Sequence, residues 1–280
     1  MNSLAPGLYV VATPIGNLGD ASDRCLAVLR AAAIVAAEDT RTSGRLLQLA
    51  DGSGRMVSLT EHNVAARAPA LVEAAATSVV VLVSDAGTPV VADPGARLME
   101  AAHAAGVAVF AVPGPSALTA ALSVSGFEGA DVHFLGFLPR RAGERAARLG
   151  AAAKGAGVLV FFESPNRVAG ALAAVAEALG DPETVVCREM TKIHEEVVRG
   201  RASELAARFA QTKGECTVVV RCERPGPEAS AEAEVAAYLA EMKRAGARRA
   251  GAAAEAARRF GVARRRAYDL WGAEGDEPGP

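Results

Sequence analysis

The amino-acid sequence predicts an α/β protein: two unlike α/β domains with a cleft between them, followed by a small helical C-terminal module. Three observations predict it. Apolar runs with no alternation are interleaved with helical segments through short connections, the pattern of a parallel sheet covered on both faces. Several of those runs stop abruptly in Gly, Pro and charged residues, and open α/β sheets bind ligands at such strand ends. A Pro- and Gly-bearing linker at 224–230 then leads into a segment rich in arginine.

A chain of 280 residues that is 51% hydrophobic can bury two cores and a small extra piece. With only 4% aromatic residues, those cores must be built from Val, Leu and Ala. The net charge of −2 does not by itself point to nucleic acid. Cys25, Cys187, Cys216 and Cys222 form no CxxC pair and have no histidine at finger spacing, so neither zinc nor a disulfide framework is indicated. A reducing, cytoplasmic location is expected. The N-terminus lacks the basic start and apolar core of a signal peptide, and no apolar stretch approaches the ~20 residues that span a bilayer.

The first domain, 1–117, opens with a strand at 8–12 that breaks at Thr13-Pro14-Ile15-Gly16. Ser22 or Asp23 can cap a helix running to Arg30, and a strand at 33–37 delivers Glu38-Asp39-Thr40-Arg41 with no spacer. Helix 42–50, strand 56–59 and helix 65–76 lead to the focal strand, 79–83. That strand empties into a loop from Ser84 to Gly95, where Gly87 and Gly95 permit unusual backbone geometry and Pro89 and Pro94 stiffen it. Asp85 and Asp93 in this loop are either ligand contacts or caps of the next helix. Helix 96–105 and strand 107–112 follow, ending at Pro113-Gly114-Pro115-Ser116-Ala117.

The second domain, 118–224, has helix 116–124 at its border, strands at 133–137, 158–162, 184–188, near 196–199 and at 216–222, and helices at 143–153 and 168–179. Its later strands are joined by short connections, so its sheet should be mixed. The module at 231–280 reads as two or three short helices with turns at Gly246 and Gly261, a helix-turn-helix outline. Between 240 and 266 it carries nine Lys or Arg residues, among them Arg258, Arg264 and Arg265, against Glu241 and Glu255. Such a segment suits either phosphate binding or a solvated helix face.

Some common site motifs are missing. No GxGxxG follows the first strand, and there is no GxxxxGK[ST], GxSxG or HExxH. Residues alone therefore reach an α/β enzyme with a small-molecule cleft, and go no further.

Seven ordered motifs carry a resemblance beyond that point. They are 9–20 (YVVATPIGNLGD), 37–41 (AEDTR), 83–89 with 93–95, 113–117 (PGPSA), 136–140 (GFLPR), 162–165 (FESP) and 188–192 (REMTK). They resemble the tetrapyrrole methylase superfamily, and within it the ribosomal RNA small-subunit methyltransferase I subfamily, from about residue 8 to 222. Asn166 and Val64 depart from that pattern. The resemblance implies a cofactor, S-adenosyl-L-methionine, folded into the cleft. It implies 2′-O-methylation of a cytidine ribose in the decoding region of 16S rRNA, by a homodimer acting on the small ribosomal subunit. The alternatives are methylation of a small tetrapyrrole-like substrate and a non-catalytic rRNA-binding role.

On the same resemblance the cofactor contacts are Pro14, Asp85, Thr88, Ser116, Ala117 and Phe162, with Glu215 near the adenine. Asp85 suits the cationic amino-acid end and Phe162 a flat base. Lys192 is the first candidate for catalysis, because a lysine at a strand end in a polar stretch can lose its proton or steady an alkoxide, with Glu189 orienting it. A lysine that serves only a phosphate is the competing reading. Glu38, Asp39 and Arg41 are placed to bind ribose or to join the domains. His62 and His194 are further possible bases. Arg140, Arg141 and Arg167 are expected on RNA phosphates, with plain surface charge as the alternative. No metal is expected.

Overall fold

The structure, a computed structural model, describes residues 4–222 and 227–273. Its first sheet is entirely parallel, in the order β3-β2-β4-β1-β5. The strands are β1 (Gly7–Val11), β2 (Ile34–Ala37), β3 (Arg55–Ser58), β4 (Val79–Val83) and β5 (Val109–Val112). The helices between them are α1 (Asp23–Ala31), α2 (Thr40–Leu49), α3 (Val64–Ala75) and α4 (Ala96–Ala104). Ser22 starts α1 by accepting a hydrogen bond from the Cys25 N–H, and Asp39 starts α2 by accepting from the Arg41 N–H.

The unbroken apolar run of β4 has a simple cause. Val79, Val81 and Val83 face a core closed by α1 and α2, whereas Val80 and Leu82 face one closed by α3 and α4. Both faces are buried, so no position is left for a polar residue. Because β2, β4, β1 and β5 run in parallel, the polar segments after them gather along one edge of the sheet.

Helix α5 (Ala117–Ser125) then packs onto the second sheet, where Ala121 meets Val160 and Val219. That sheet runs β6-β7-β10-β8-β9, from β6 (Val132–Phe137), β7 (Val158–Glu163), β8 (Glu183–Arg188), β9 (Glu196–Arg201) and β10 (Cys216–Arg221). Only β6 and β7 pair in parallel, so the sheet is mixed as expected. Helices α6 (Ala142–Ala153), α7 (Val168–Leu179) and α8 (Ala202–Arg208) close its other face around Phe161, Leu172, Leu205 and Val218. Helix α8 has no counterpart in the sequence reading.

Contacts divide the chain into one unit ending at Cys222 and a second beginning at Glu223. The second consists of α9 (Pro227–Arg244), α10 (Arg249–Phe260) and α11 (Arg264–Ala273) around Val235, Leu239, Ala252, Ala256 and Ala267. Gly246 and Gly261 both adopt positive φ at the turns expected there. The linker reading at 224–230 needs correction: Pro227–Ser230 are helical, and 224–226 lie outside the described residues, as do 274–280 of the module. Among the described residues no helix is long and apolar enough to cross a membrane.

Candidate active site

The strand ends of the first sheet face the second sheet across a cavity of about 410 Å³. That size suits a small-molecule cofactor. The loop after β4 forms one side of it, with Asp85, Gly87, Thr88 and Asp93. Val90 and Ala92 in this loop hold positive φ, costly for residues with side chains and therefore a sign of a tightly determined shape. Thr13 and Gly87 exchange backbone hydrogen bonds, which ties the turn after β1 to the loop after β4. Thr88 donates to the Pro115 carbonyl and so fixes the loop to the 113–117 turn.

Neither aspartate of the loop caps a helix. The N-cap of α4 is Gly95, with no side-chain hydrogen bond. Asp85 instead accepts from the Asp39 N–H at 2.9 Å, linking the ends of β2 and β4. Asp93 lies in the cavity wall, and its pKa is pushed up to about 6 by burial first and by the nearby Glu38 and Asp85 carboxylates second. Burial, with Asp85 and Glu61 nearby, also raises the Glu38 carboxyl. Three acids share one strongly negative corner.

On the opposite side, Phe162 presents its ring, braced edge-on by Phe134 and Phe137 at 4.9 and 5.9 Å between centroids. Ser116 and Ala117 complete that wall, and Ser116 makes no capping bond, so the first N–H groups of α5 have no side-chain partner. Glu163 also lines the cavity although its side chain is only 1% exposed. Arg167 Nη2 lies 3.0 Å from its Oε2, near enough for charge pairing though not aligned as a hydrogen bond.

Lys192 occupies the middle. Its Nζ donates to Glu189 Oε1 and Glu215 Oε2, both at 2.8 Å. Burial works to lower the lysine pKa, but these two hydrogen bonds outweigh it and hold the ammonium above the ordinary lysine range. A lysine raised in this way keeps its proton near neutral pH, which leaves two of the expected roles, steadying an alkoxide and contacting a phosphate. The same contact, chiefly, lowers the Glu189 carboxyl below its usual range.

Two glycines make this possible. A Cβ on Gly214, whose φ is +88°, would run into the Glu189 carboxyl. One on Gly16 would lie 2.5 Å from Lys192 Cγ, so the turn after β1 can meet the lysine only without a side chain.

A second cavity, about 380 Å³, shares Ile15, Asp85, Ala86, Lys192 and Glu215 with the first and extends toward α2. Pro14 lines this one and is absent from the wall of the first, unlike the other expected cofactor contacts. The four arginines assigned to RNA line neither cavity. Arg41 is almost fully exposed and bonds Asp39, and Arg141 pairs with Glu144. Arg140 is exposed, whereas Arg167 is tied to Glu163 and the Leu138 carbonyl. His62 and His194 are exposed and line neither cavity. Asp93, left open between ligand contact and helix cap, stands in the wall, whereas Glu163 and Met190, present in the FESP and REMTK motifs, were not singled out as site residues. For Glu163 the available signal was an acid closing an otherwise apolar strand.

The family described as Tetrapyrrole (Corrin/Porphyrin) Methylases matches residues 7–206. The solved uroporphyrin-III-C-methyltransferase from Thermus thermophilus superposes with a TM-score of 0.56 at 21% identity, covering 78% of this chain and 94% of that one, which supports the fold. The ribosomal RNA small subunit methyltransferase I of Mycobacterium tuberculosis (strain CDC 1551 / Oshkosh) is 45% identical over 268 residues, 94% of this chain and 93% of its own. Its namesake from Thermotoga maritima is 44% identical over 76% of this chain and 97% of its own. The chain belongs to the tetrapyrrole methylases and, within them, to the ribosomal RNA small subunit methyltransferase I family.

Proposed function

We propose that this chain transfers a methyl group from S-adenosylmethionine to the ribose 2′-oxygen of a cytidine in 16S rRNA, in the small ribosomal subunit and as a homodimer. The observation that carries the reading is the match to a ribosomal RNA methyltransferase over 94% of this chain, which extends past Cys222 into the basic C-terminal unit.

The first cavity fits the cofactor on its own chemistry. Asp85 and Asp93 offer negative charge to a cationic amino-acid end, Phe162 offers a flat face to an adenine, and Ser116 and Ala117 leave room beside it. Thr88 and Glu215 complete the set. When bound, S-adenosylmethionine supplies an electrophilic methyl group on a sulfonium.

The chain's own task is the nucleophile. A ribose hydroxyl is a weak acid, and its reaction is helped by a positive group at the developing alkoxide. Lys192, kept protonated by two carboxylates, is that group. Glu189 positions it, being itself fixed by the Glu215 N–H. Glu215, largely exposed, is bonded to the same Nζ, and the hydroxyl proton leaves to solvent. Exposed Arg41, Arg140 and Arg141 and the arginines of the C-terminal unit meet phosphates.

The test is a competition of substrate classes: labelled S-adenosylmethionine with small ribosomal subunits lacking the modification, or with uroporphyrinogen III. Label in subunit RNA alone supports the reading. Label in the tetrapyrrole alone overturns it.

A further inference from the structure

The second cavity is not needed to hold the cofactor, yet it opens onto Lys192. We infer that it seats the acceptor nucleotide, turned out of the RNA stack, with Ser43 as its buried polar contact and Arg45 at its rim; this rests on the RNA-methyltransferase reading above.

Ser43 lies within α2 and lines this cavity. It is only 5% exposed, and its hydroxyl has no hydrogen-bond partner. Serines inside helices usually return that bond to the carbonyl four residues back, and buried hydroxyls nearly always find a partner. A nucleotide's oxygen or nitrogen supplies the missing one. Beside Ser43, Leu46 and Leu18 give the cavity apolar surface for a base. Arg45 lines it too, with an exposed side chain that makes no ion pair among the described residues, and so remains available for a backbone phosphate.

Asp85, Lys192 and Glu215 border both cavities, so a nucleotide seated in the second shares the lysine with a cofactor in the first. RNA-reading proteins commonly take single, splayed nucleotides into cavities of this kind.

The test uses the full chain saturated with S-adenosylhomocysteine, and saturation-transfer NMR with cytidine 5′-monophosphate as the probe. Wild type should bind the nucleotide. Ser43→Leu, which fills the cavity, should abolish the signal, and Arg45→Glu should weaken binding at least fivefold, both with S-adenosylhomocysteine affinity within twofold. Should Ser43→Leu fail to fold, Ser43→Ala decides, with at least threefold weaker nucleotide binding expected. No binding to wild type, or binding indifferent to these changes, overturns the proposal. Methyl transfer to small subunits, run in parallel, separates the two readings. Nucleotide binding here without labelled RNA removes the RNA-methyltransferase reading. Labelled RNA with unaffected nucleotide binding removes only the pocket.

Discussion

Lys192 and Asp93 show how neighbours set the chemistry of a residue. The lysine is held charged by Glu189 and Glu215 against a burial penalty that acts the other way. Removing it should leave the cofactor cavity standing and take away the alkoxide's partner. Lys192→Ala is expected to lower kcat by about 10²- to 10³-fold, with S-adenosylhomocysteine affinity by calorimetry changed less than about threefold. Because the lysine stays protonated, wild-type kcat should show no loss from its deprotonation between pH 7 and about pH 10. Asp93 has the opposite problem, a carboxyl half-buried beside two other acids with its pKa pushed up to about 6. In the unfolded chain it titrates near its ordinary value, so between there and pH 6 the folded chain binds the extra proton. Its contribution therefore favours the fold at acid pH and is lost as pH rises through about 6. Asp93→Asn should stabilise the protein by about 1 kcal/mol at pH 8, discounted for solvent screening, and by almost nothing at pH 4. Urea melts at the two pH values measure this directly.

Among the elements, the decisive ones are short turns with glycines where side chains would collide. Gly214 combines a φ of +88° with contact against Glu189, so Gly214→Ala adds backbone strain and displaces the carboxyl that positions Lys192. A loss of about 1–3 kcal/mol in stability is expected, together with a fall in kcat larger than any change in KM. The sequence made most elements legible and left these turns partly hidden. β4 could be read because both of its faces are buried, and α1 because Ser22 caps it. Helix α8 was not, since its seven residues follow β9 with no cap of the usual type, Arg201 standing there instead. Asp93 read equally as a ligand contact and as a helix cap by type and position. Only the tertiary placement of Gly95 as the N-cap and of Glu38 nearby shows it to be a strained acid in a cavity wall. Pro14 was expected at the cofactor from the resemblance alone, and it lines the second cavity, which shares the neighbouring Ile15 with the first.

At the scale of the molecule, a parallel and a mixed sheet supply the cavities, and a separate three-helix unit supplies positive charge. The charge of that unit was plain in the sequence. Its partition was not: Arg249 lies over Tyr268 and bonds its carbonyl, and Arg258 pairs with Glu255, whereas Arg264 and Arg265 are exposed. The double variant Arg264→Glu/Arg265→Glu should raise KM for the RNA substrate and reduce the salt dependence of binding by about two counterions. S-adenosylhomocysteine affinity should not change.

The central claim is that the wall around Lys192 directs a methyl group to a ribose oxygen of ribosomal RNA. The most direct measurement is to methylate unmodified small subunits with labelled S-adenosylmethionine, digest the RNA to nucleosides, and identify the labelled one by mass spectrometry. Label on 2′-O-methylcytidine, lost in Lys192→Ala, is the predicted result. Label on a base atom, or on the ribose at wild-type rate in Lys192→Ala, would contradict the account.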